Sequence, residues 1–174
     1  MRSQVSIFFI LSLFATLTTS SYLNGMYTPR RLDSGLFSLV EDEDGEGIDK
    51  LAAALDGGAD PDVRDKDGST PLHRAVLHKS LPMVELLLQH RASPNAQDIN
   101  GQTPLILATI RMCTEIVACL IRKGANPLLA DRNNNTALVL AQQTLKICAN
   151  PDKKRTWIEL VRSMTEELQA FGLA

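Results

Sequence analysis

The chain has few aromatic residues, few cysteines and little net charge, and each of these facts limits what kind of protein it can be. Only 5% of its 174 residues are aromatic although 44% are hydrophobic, so a single domain must build its core from aliphatic side chains. The formal net charge is −2, which provides no general attraction to nucleic acid or to an anionic membrane. We therefore expect no nucleic-acid partner.

Residues that could carry out chemistry are also scarce. The three cysteines are odd in number, and no histidine or second cysteine stands at ligand spacing from them. Cys119 lies in an apolar run and is expected to be a small buried hydrophobe, whereas a disulfide that involves Cys148 is left open. The sequence has no Gly-x-Ser-x-Gly, no phosphate-binding loop and no Cys-x-x-Cys pair. We therefore predict a protein that is not an enzyme and that holds no metal or cofactor.

What the sequence does contain is a pattern that occurs three times with a period of 33 residues. Its clearest markers are Thr70, Thr103 and Thr136, each of which follows a polar cluster and precedes an apolar stretch. Two apolar runs, residues 84–88 and 117–121, match each other at the same period. A fixed period of this size indicates a solenoid of stacked units.

Each unit predicts a polar turn followed by two helices. Gly68 and Gly101 stand where the turn needs a positive φ, and Asn134 takes that place in the third copy. The threonine that follows can cap a short helix, and proline is favoured at the first helical position. The second helix carries an apolar run too continuous for a surface helix, so it should be covered on several sides. One such pair cannot bury its own apolar face, which is why the units must stack.

The segment Thr70-Pro71-Leu72-His73, the paired apolar runs and the Gly-Ala-x-Pro linkers resemble ankyrin repeats over about residues 36–143. The resemblance implies an all-α solenoid of stacked helix–turn–helix units with hairpin loops. It also implies a structural role for His73, which would form hydrogen bonds within and between repeats. The departures from the family, which predict lower stability and not a different fold, are Lys79, Met112 and Arg91 in place of glycine, and Ala137 and Val139 in place of proline and histidine.

The segments around the repeats complete the predicted organisation. A run of acidic residues at 41–46 is expected to be a solvated face, and a docking site for a basic partner is the alternative. Trp157 is expected to pack in the C-terminal cap. We predict a signal peptide (1–20), a flexible arm (21–35), repeats (36–149; degenerate 36–64, full 65–97 and 98–130, partial 131–149) and a C-terminal capping helix (150–174).

The apolar run near the N-terminus predicts where the protein acts. Residues 5–17 carry no charge, follow Arg2 and lead into small polar residues around Ser20, a pattern typical of a secretory signal. The run is short for a membrane span, which needs about 20 apolar residues. We expect a secreted or secretory-pathway protein with no stable membrane insertion after signal removal. A signal anchor, a buried helix and a mitochondrial presequence are the alternatives.

The family resemblance also implies which residues contact a partner. In ankyrin repeats these lie beside the glycine of the hairpin and after the first turn of the inner helix. Leu77, Ile99 and Ile110 would then have no core to enter and would form a binding patch with Arg111; scattered surface hydrophobes are the alternative. The implied partner-binding residues are Lys66, Asp67, Ser69, Leu77, His78, Ile99, Asn100, Gln102, Ile110, Arg111, Arg132, Asn133, Asn135 and Gln143.

These expectations combine into one functional prediction with one alternative. We predict a monomeric, non-enzymatic module of the secretory pathway that captures another protein on its concave face. The alternative is an intracellular or organellar ankyrin adaptor whose apolar leader is an anchor or a presequence. Asn134 begins an Asn-Asn-Thr sequon and could carry a glycan, although Thr136 is expected to be occupied as a helix cap.

Overall fold

The computed structural model describes residues 29–41 and 46–170, with side chains described for residues 35–41 and 46–166. The predicted signal peptide and most of the acidic run at 41–46 lie outside the described residues. Within them the chain forms eight α-helices and no strand: α1 (Pro29–Glu41), α2 (Glu46–Asp56), α3 (Pro71–Leu77), α4 (Leu81–Gln89), α5 (Pro104–Ile110), α6 (Thr114–Arg122), α7 (Ala137–Ile147) and α8 (Pro151–Ala170).

The helices form two rows that run along the stack. Each odd-numbered helix packs against the helix that follows it, which gives four helix pairs. The pairs then stack: α1, α3, α5 and α7 contact one another in sequence as an inner row, and α2, α4, α6 and α8 do so as an outer row. The predicted all-α solenoid of stacked helix–turn–helix units is confirmed.

The inner helices begin where the threonines predict. Thr70, Thr103 and Thr136 all have extended backbone and immediately precede α3, α5 and α7. The Thr103 hydroxyl accepts a hydrogen bond from the N–H of Ile106 at 3.2 Å, and the Thr136 hydroxyl accepts one from Val139 at 3.2 Å. The two caps satisfy backbone donors that the first turn of a helix leaves unpaired.

The core is aliphatic, as the composition requires. Leu72, Leu87, Leu105 and Leu120 are fully buried between the two rows. Each buried leucine stabilises the fold by about 1.5–3 kcal/mol relative to an exposed one. The single tryptophan, Trp157, is 1% exposed and extends this core into α8, so its predicted packing role is confirmed.

Helices end in a repeated turn that places one residue at positive φ. After α3, the N–H of Lys79 donates to the Val76 carbonyl and the N–H of Ser80 donates to the Ala75 carbonyl, both at 3.0 Å. This pair of hydrogen bonds defines a Schellman motif, in which glycine is preferred at the positive-φ position. The same turn closes α2, α4, α5 and α6, and its positive-φ residues are Gly58 (89°), Lys79 (57°), Arg91 (66°), Met112 (56°) and Gly124 (81°).

The N-terminal region differs from the sequence expectation. Helix α1 begins at Pro29, inside the segment 21–35 that was expected to be a flexible arm. Proline is suited to the first turn of a helix because its fixed φ is helical and its missing N–H is not needed there. The burial of Leu36 and Val40 then anchors α1 on α2 and α3.

Candidate functional site

Three polar turns project from the stack ahead of α3, α5 and α7, and we call them fingers 1, 2 and 3 (residues 65–70, 98–103 and 131–136). In finger 2, one carboxylate oxygen of Asp98 accepts hydrogen bonds from the N–H groups of Asn100 and Gln102, both at 2.8 Å. Asp65 and Asp131 hold fingers 1 and 3 with the same pair of bonds. Each finger therefore has one fixed conformation set by its aspartate.

The positive φ predicted at the turn is also confirmed. Gly68 has φ 69°, Gly101 has φ 75° and Asn134 has φ 59°. At Gly101 a Cβ would lie 3.1 Å from the backbone N of Arg132, so glycine here also allows finger 3 to approach finger 2. Asparagine serves at 134 because it tolerates the left-handed region better than most residues.

Hydrogen bonds join the fingers into one continuous edge. The N–H of Ile99 donates to the Asp67 carbonyl at 3.0 Å, and the N–H of Arg132 donates to the Asn100 carbonyl at 2.9 Å. Side chains reinforce both junctions at their bases. The Arg64 guanidinium donates to the carbonyls of Gly68 and Gln97, and the Gln97 amide donates to the carbonyls of Gly101 and Ala130. Sequence reasoning missed this role of Arg64 and Gln97, although the period of 33 residues relates the two positions.

A buried histidine links the first full repeat to the second. The Nδ1 atom of His73 accepts from the N–H of Thr70 at 3.1 Å, and its Nε2 atom lies 3.0 Å from the Gln102 carbonyl. A carbonyl can only accept, so Nε2 carries the proton. Burial lowers the pKa of His73 below its ordinary value of 6.5, although the bond to Gln102 opposes this shift. The expected hydrogen bonds of His73 within and between repeats are confirmed.

Charge is organised around the base of finger 1. The Arg74 guanidinium lies 2.6 Å from a carboxylate oxygen of Asp65 and 3.9 Å from one of Glu41. Burial by itself raises the pKa of Asp65, but hydrogen bonds from Arg74 and from the N–H groups of Ser69 and Asp67 outweigh it and leave the pKa lowered. In finger 3, burial likewise raises the pKa of Asp131, and bonds from Asn135 and Asn133 reverse the shift. Both carboxylates are therefore committed to holding their turns.

The finger tips and the ends of the inner helices expose most of the residues that the family resemblance singled out. Ile99 is 47% exposed at the tip of finger 2, and Ile110 is 51% exposed at the end of α5. Interfinger bonds bring Asp67 beside Ile99 and Asn100 beside Arg132. The exposed members are Lys66, Asp67, His78, Ile99, Asn100, Ile110, Arg111, Arg132, Asn133 and Gln143, and the half-buried ones are Leu77, Gln102 and Asn135.

Two residues of the predicted set are placed differently from the expectation. Ser69 is buried, whereas its counterparts Gln102 and Asn135 make the same backbone bond to their aspartates and are half-buried, so the shorter side chain of Ser69 is the difference. Leu77 is half-buried and packs against the core at the last turn of α3. The expectation that Leu77 has no core to enter is wrong, so Ile99 and Ile110 are the apolar groups of the set that project into solvent.

The described residues also hold three cysteines outside the fingers. Cys113, Cys119 and Cys148 are free thiols, and Cys119 is buried as expected. Burial is also the main reason why the pKa of the Cys119 thiol is raised. In the described part of the chain no cluster of His, Cys, Asp and Glu could hold a metal ion. None of the helices described has the length and hydropathy that a membrane span requires.

Asn134, the candidate glycosylation residue, stands exposed at the tip of finger 3. The hydroxyl of Thr136 in the same sequon is occupied as the α7 cap, as expected. Glycosylation of Asn134 stays a prediction.

An open groove lies away from the fingers, between the outer helices α6 and α8. Its volume is about 400 Å³, and its lining includes Ala118 and Leu160 together with Arg122 and Glu159.

Two family models match the middle of the chain. The model described as "Ankyrin repeats (many copies)" matches residues 54–108, and the model described as "Ankyrin repeat" matches residues 100–132. Among solved structures, the ankyrin repeat domain of Bcl-3, described as a unique member of the IkappaB protein family, is similar with a TM-score of 0.60 and 34% identity. That similarity covers 73% of this chain and 50% of the Bcl-3 chain, so this chain spans about half the length of that structure. No match was found among curated proteins.

Proposed function

This chain is an ankyrin-repeat protein, and on that basis we propose that it is a non-enzymatic module of the secretory pathway that captures one protein partner on its finger-and-inner-helix face. Ankyrin repeats serve generally as protein-binding scaffolds. The face meant here consists of the tips of fingers 1–3 and the C-terminal ends of α3 and α5.

The observation that carries the proposal is the pairing of a rigid edge with exposed apolar and arginine side chains. The fingers are bonded to one another, so their tips lose little conformational entropy when a partner binds. Ile99 projects into solvent on this edge, where Arg132 is bonded to the adjacent Asn100, and Ile110 projects into solvent at the end of α5 next to exposed Arg111. Arginine is enriched among the side chains that supply most of the binding energy in protein interfaces, and an exposed isoleucine gains free energy when a partner removes it from water.

The test compares capture by three forms of the chain. The wild type, the double variant Ile99→Ser/Ile110→Ser and the control Ile158→Ser are immobilised and exposed to fluid or lysate from the producing cells. Bound proteins are then quantified by mass spectrometry. Ile158 is a matched control because it is 50% exposed and lies on α8, away from the fingers. All three forms should give the same far-UV circular dichroism.

The proposal expects at least one protein that the wild type and Ile158→Ser retain and that the double variant loses. For that protein the dissociation constant should rise at least tenfold in the double variant, since interface anchors cost more than about 1.4 kcal/mol when truncated. Equal retention by all three forms would remove the finger face as the binding site.

The secretory part of the proposal rests on the leader and has its own test. Residues 5–17 are apolar and uncharged, and the sequon at Asn134 lies on an exposed tip. N-terminal sequencing of the protein recovered from the medium should show cleavage near Ser20, and glycosidase treatment will reveal any glycan on Asn134. An uncleaved chain retained inside the cell would favour the intracellular or organellar adaptor instead.

A further inference from the structure

The tips of the three fingers alternate between positive charge and apolar surface. Lys66, Ile99 and Arg132 occupy the same position in fingers 1, 2 and 3, and all three are exposed. The N–H of Ile99 is bonded to finger 1 and the N–H of Arg132 to finger 2, which holds the three positions in one row. Along this bonded edge an apolar side chain therefore lies between two cations.

The apolar member of the row is held in place and still meets the solvent. A Cβ at Gly68 would lie 3.3 Å from the Cγ2 atom of Ile99, so the Ile99 side chain reaches over the turn of finger 1. The residue is nevertheless 47% exposed. An apolar side chain placed in this way gains free energy when a partner covers it.

The ends of the inner helices show the same division between repeats. Lys79 and Met112 occupy equivalent turn positions after α3 and α5, with φ 57° and 56°. Met112 is 48% exposed, and Ile110 at the end of α5 is 51% exposed. The middle repeat therefore exposes apolar side chains at both ends of its inner helix, where the repeat before it carries Lys66 and Lys79.

The exposed charge of this face is mostly positive, although the whole chain has a net charge of −2. Helices α3, α5 and α7 contain no Asp or Glu, and three of the four finger aspartates hold their own turns. The structure describes all of these segments and the turns that follow the helices, and their one exposed acid is Asp67. Their exposed cations are Lys66, Lys79, Arg111, Arg132 and Lys146.

These cations are available to a partner. Within the described part of the chain, none of the five forms an ion pair with a carboxylate. A partner that supplies carboxylates would therefore gain charge pairs without breaking existing ones, and complementary charge also speeds the encounter and excludes basic partners.

From this row we propose that the segment captured by the fingers is an extended acidic stretch of protein, with a large apolar side chain between carboxylates three residues before and after it. The proposal rests on the proposed function, since it specifies the chemistry of the partner on the same face. Neighbouring helices pack about 8–10 Å apart, and an extended chain rises about 3.3 Å per residue. Three residues therefore carry the segment from one finger to the next.

Two other occupants match the face less closely. An amphipathic helix presents a continuous apolar stripe to a groove, whereas the apolar tip of finger 2 is flanked by cations on both sides. Proteins that bind single-stranded nucleic acid combine cations with aromatic side chains that stack on the bases. Residues 65–147 contain no Phe, Tyr or Trp.

Nuclear magnetic resonance of the ¹⁵N-labelled chain, as recovered from expressing cells, tests the proposal and detects binding up to millimolar dissociation constants. The probe is the end-blocked peptide Ser-Glu-Ser-Ser-Leu-Ser-Ser-Glu-Ser. Amide signals of fingers 1–3 should shift and reach saturation. An isomer with both glutamates next to the leucine, Ser-Ser-Ser-Glu-Leu-Glu-Ser-Ser-Ser, should bind about threefold or more weakly, because its carboxylates cannot reach both cations.

A charge reversal of the two outer fingers supplies the sharpest comparison. Lys66→Glu/Arg132→Glu should weaken binding of the glutamate peptide about tenfold or more. The same variant should bind Ser-Lys-Ser-Ser-Leu-Ser-Ser-Lys-Ser, which the wild type does not. Lys123→Glu/Lys154→Glu is the matched control: it changes the net charge equally at exposed positions of the outer row and should leave binding of the glutamate peptide unchanged. Far-UV circular dichroism should be the same for all forms.

Three results would overturn the proposal. One is a glutamate peptide that causes no saturable shift in the fingers, or that binds no better than its isomer. Another is a charge-reversed variant that does not exchange the glutamate peptide for the lysine peptide. The third is a thymidylate 20-mer that shifts the same signals at a lower concentration than the peptide, since the face would then prefer nucleic acid.

Failure of this proposal differs from failure of the proposed function. A protein captured by the wild type and by Lys66→Glu/Arg132→Glu, but lost by Ile99→Ser/Ile110→Ser, would support the capture face and overturn its preference for acidic segments. Equal capture of every protein by all of these forms would instead remove the proposed function itself.

Discussion

Replacing Lys79 by glycine should stabilise the protein, because Lys79 occupies a backbone conformation that suits glycine far better than lysine. It closes the Schellman turn after α3 with φ 57°. Gly58 and Gly124 close the same turn after α2 and α6 with φ 89° and 81°. The left-handed conformation costs a residue with a Cβ about 1–2 kcal/mol. Lys79 is exposed, so its removal sacrifices little packing.

The expected gain is smaller than the strain, since glycine also adds freedom to the unfolded chain. That entropic term amounts to about 0.4–1 kcal/mol for an exchange between glycine and a residue with a Cβ. Lys79→Gly should therefore raise the free energy of unfolding by about 0.5–1 kcal/mol. For a chain of this size each kcal/mol corresponds to about 2–4 °C in Tm. Arg91→Gly, which relieves a φ of 66° after α4, should give a similar increase.

Urea denaturation followed by far-UV circular dichroism measures the effect. The midpoint should rise for Lys79→Gly and Arg91→Gly while the m-value stays constant, since the surface exposed on unfolding hardly changes. Lys79→Ala is the matched control, because it removes the same side chain but keeps a Cβ in the strained conformation, and it should leave the midpoint near that of the wild type. If the glycine variant were no more stable than the alanine variant, the assignment of strain to this turn would be wrong.

Two further predictions concern the fingers and the buried histidine. Gly101→Ala should destabilise the fold by more than Gly124→Ala, as measured by the same urea denaturation. Both glycines have positive φ. At Gly101 the new Cβ would lie 3.1 Å from the backbone of Asp131 and Arg132, whereas nothing lies within 4 Å at Gly124. Burial lowers the pKa of His73 below 6.5, so folding favours the neutral ring. The stability that this preference contributes is complete above pH 6.5, and it is lost as the pH falls through the lower pKa of the folded state. The loss of stability between pH 7.5 and pH 5 should therefore be smaller in His73→Gln, which cannot titrate, and equal slopes for the two proteins would refute this role of the ring.

The sequence predicts those parts of the fold that depend on local geometry repeated at a fixed period. Alignment with Gly68 and Gly101 predicts a positive φ at Asn134, and its φ is 59°. The caps at Thr103 and Thr136 follow from the same alignment. In each case the chemistry of a few neighbouring residues determines the conformation, so one sequence is sufficient.

The sequence pattern does not predict features that depend on contacts between different helices and turns. Leu77 looked exposed because of its repeat position, yet the last turn of α3 brings it against the core. Helix α1 begins seven residues before the predicted start of the repeats at residue 36, because Leu36 and Val40 anchor a helix whose earlier residues show no apolar period. The hydrogen bonds of Arg64 and Gln97 to the neighbouring finger depend on tertiary contacts that the pattern of one repeat does not contain.

The position of Trp157 makes it an intrinsic fluorescence probe of unfolding. It is the chain's single tryptophan, and it lies buried in the final helix pair. In a linear array each unit is stabilised mainly by its immediate neighbours, so terminal units can detach before the middle melts. Indole emission therefore reports fraying at one terminus, while ellipticity averages over every helix, and the gap between the two signals measures how cooperatively the array unfolds.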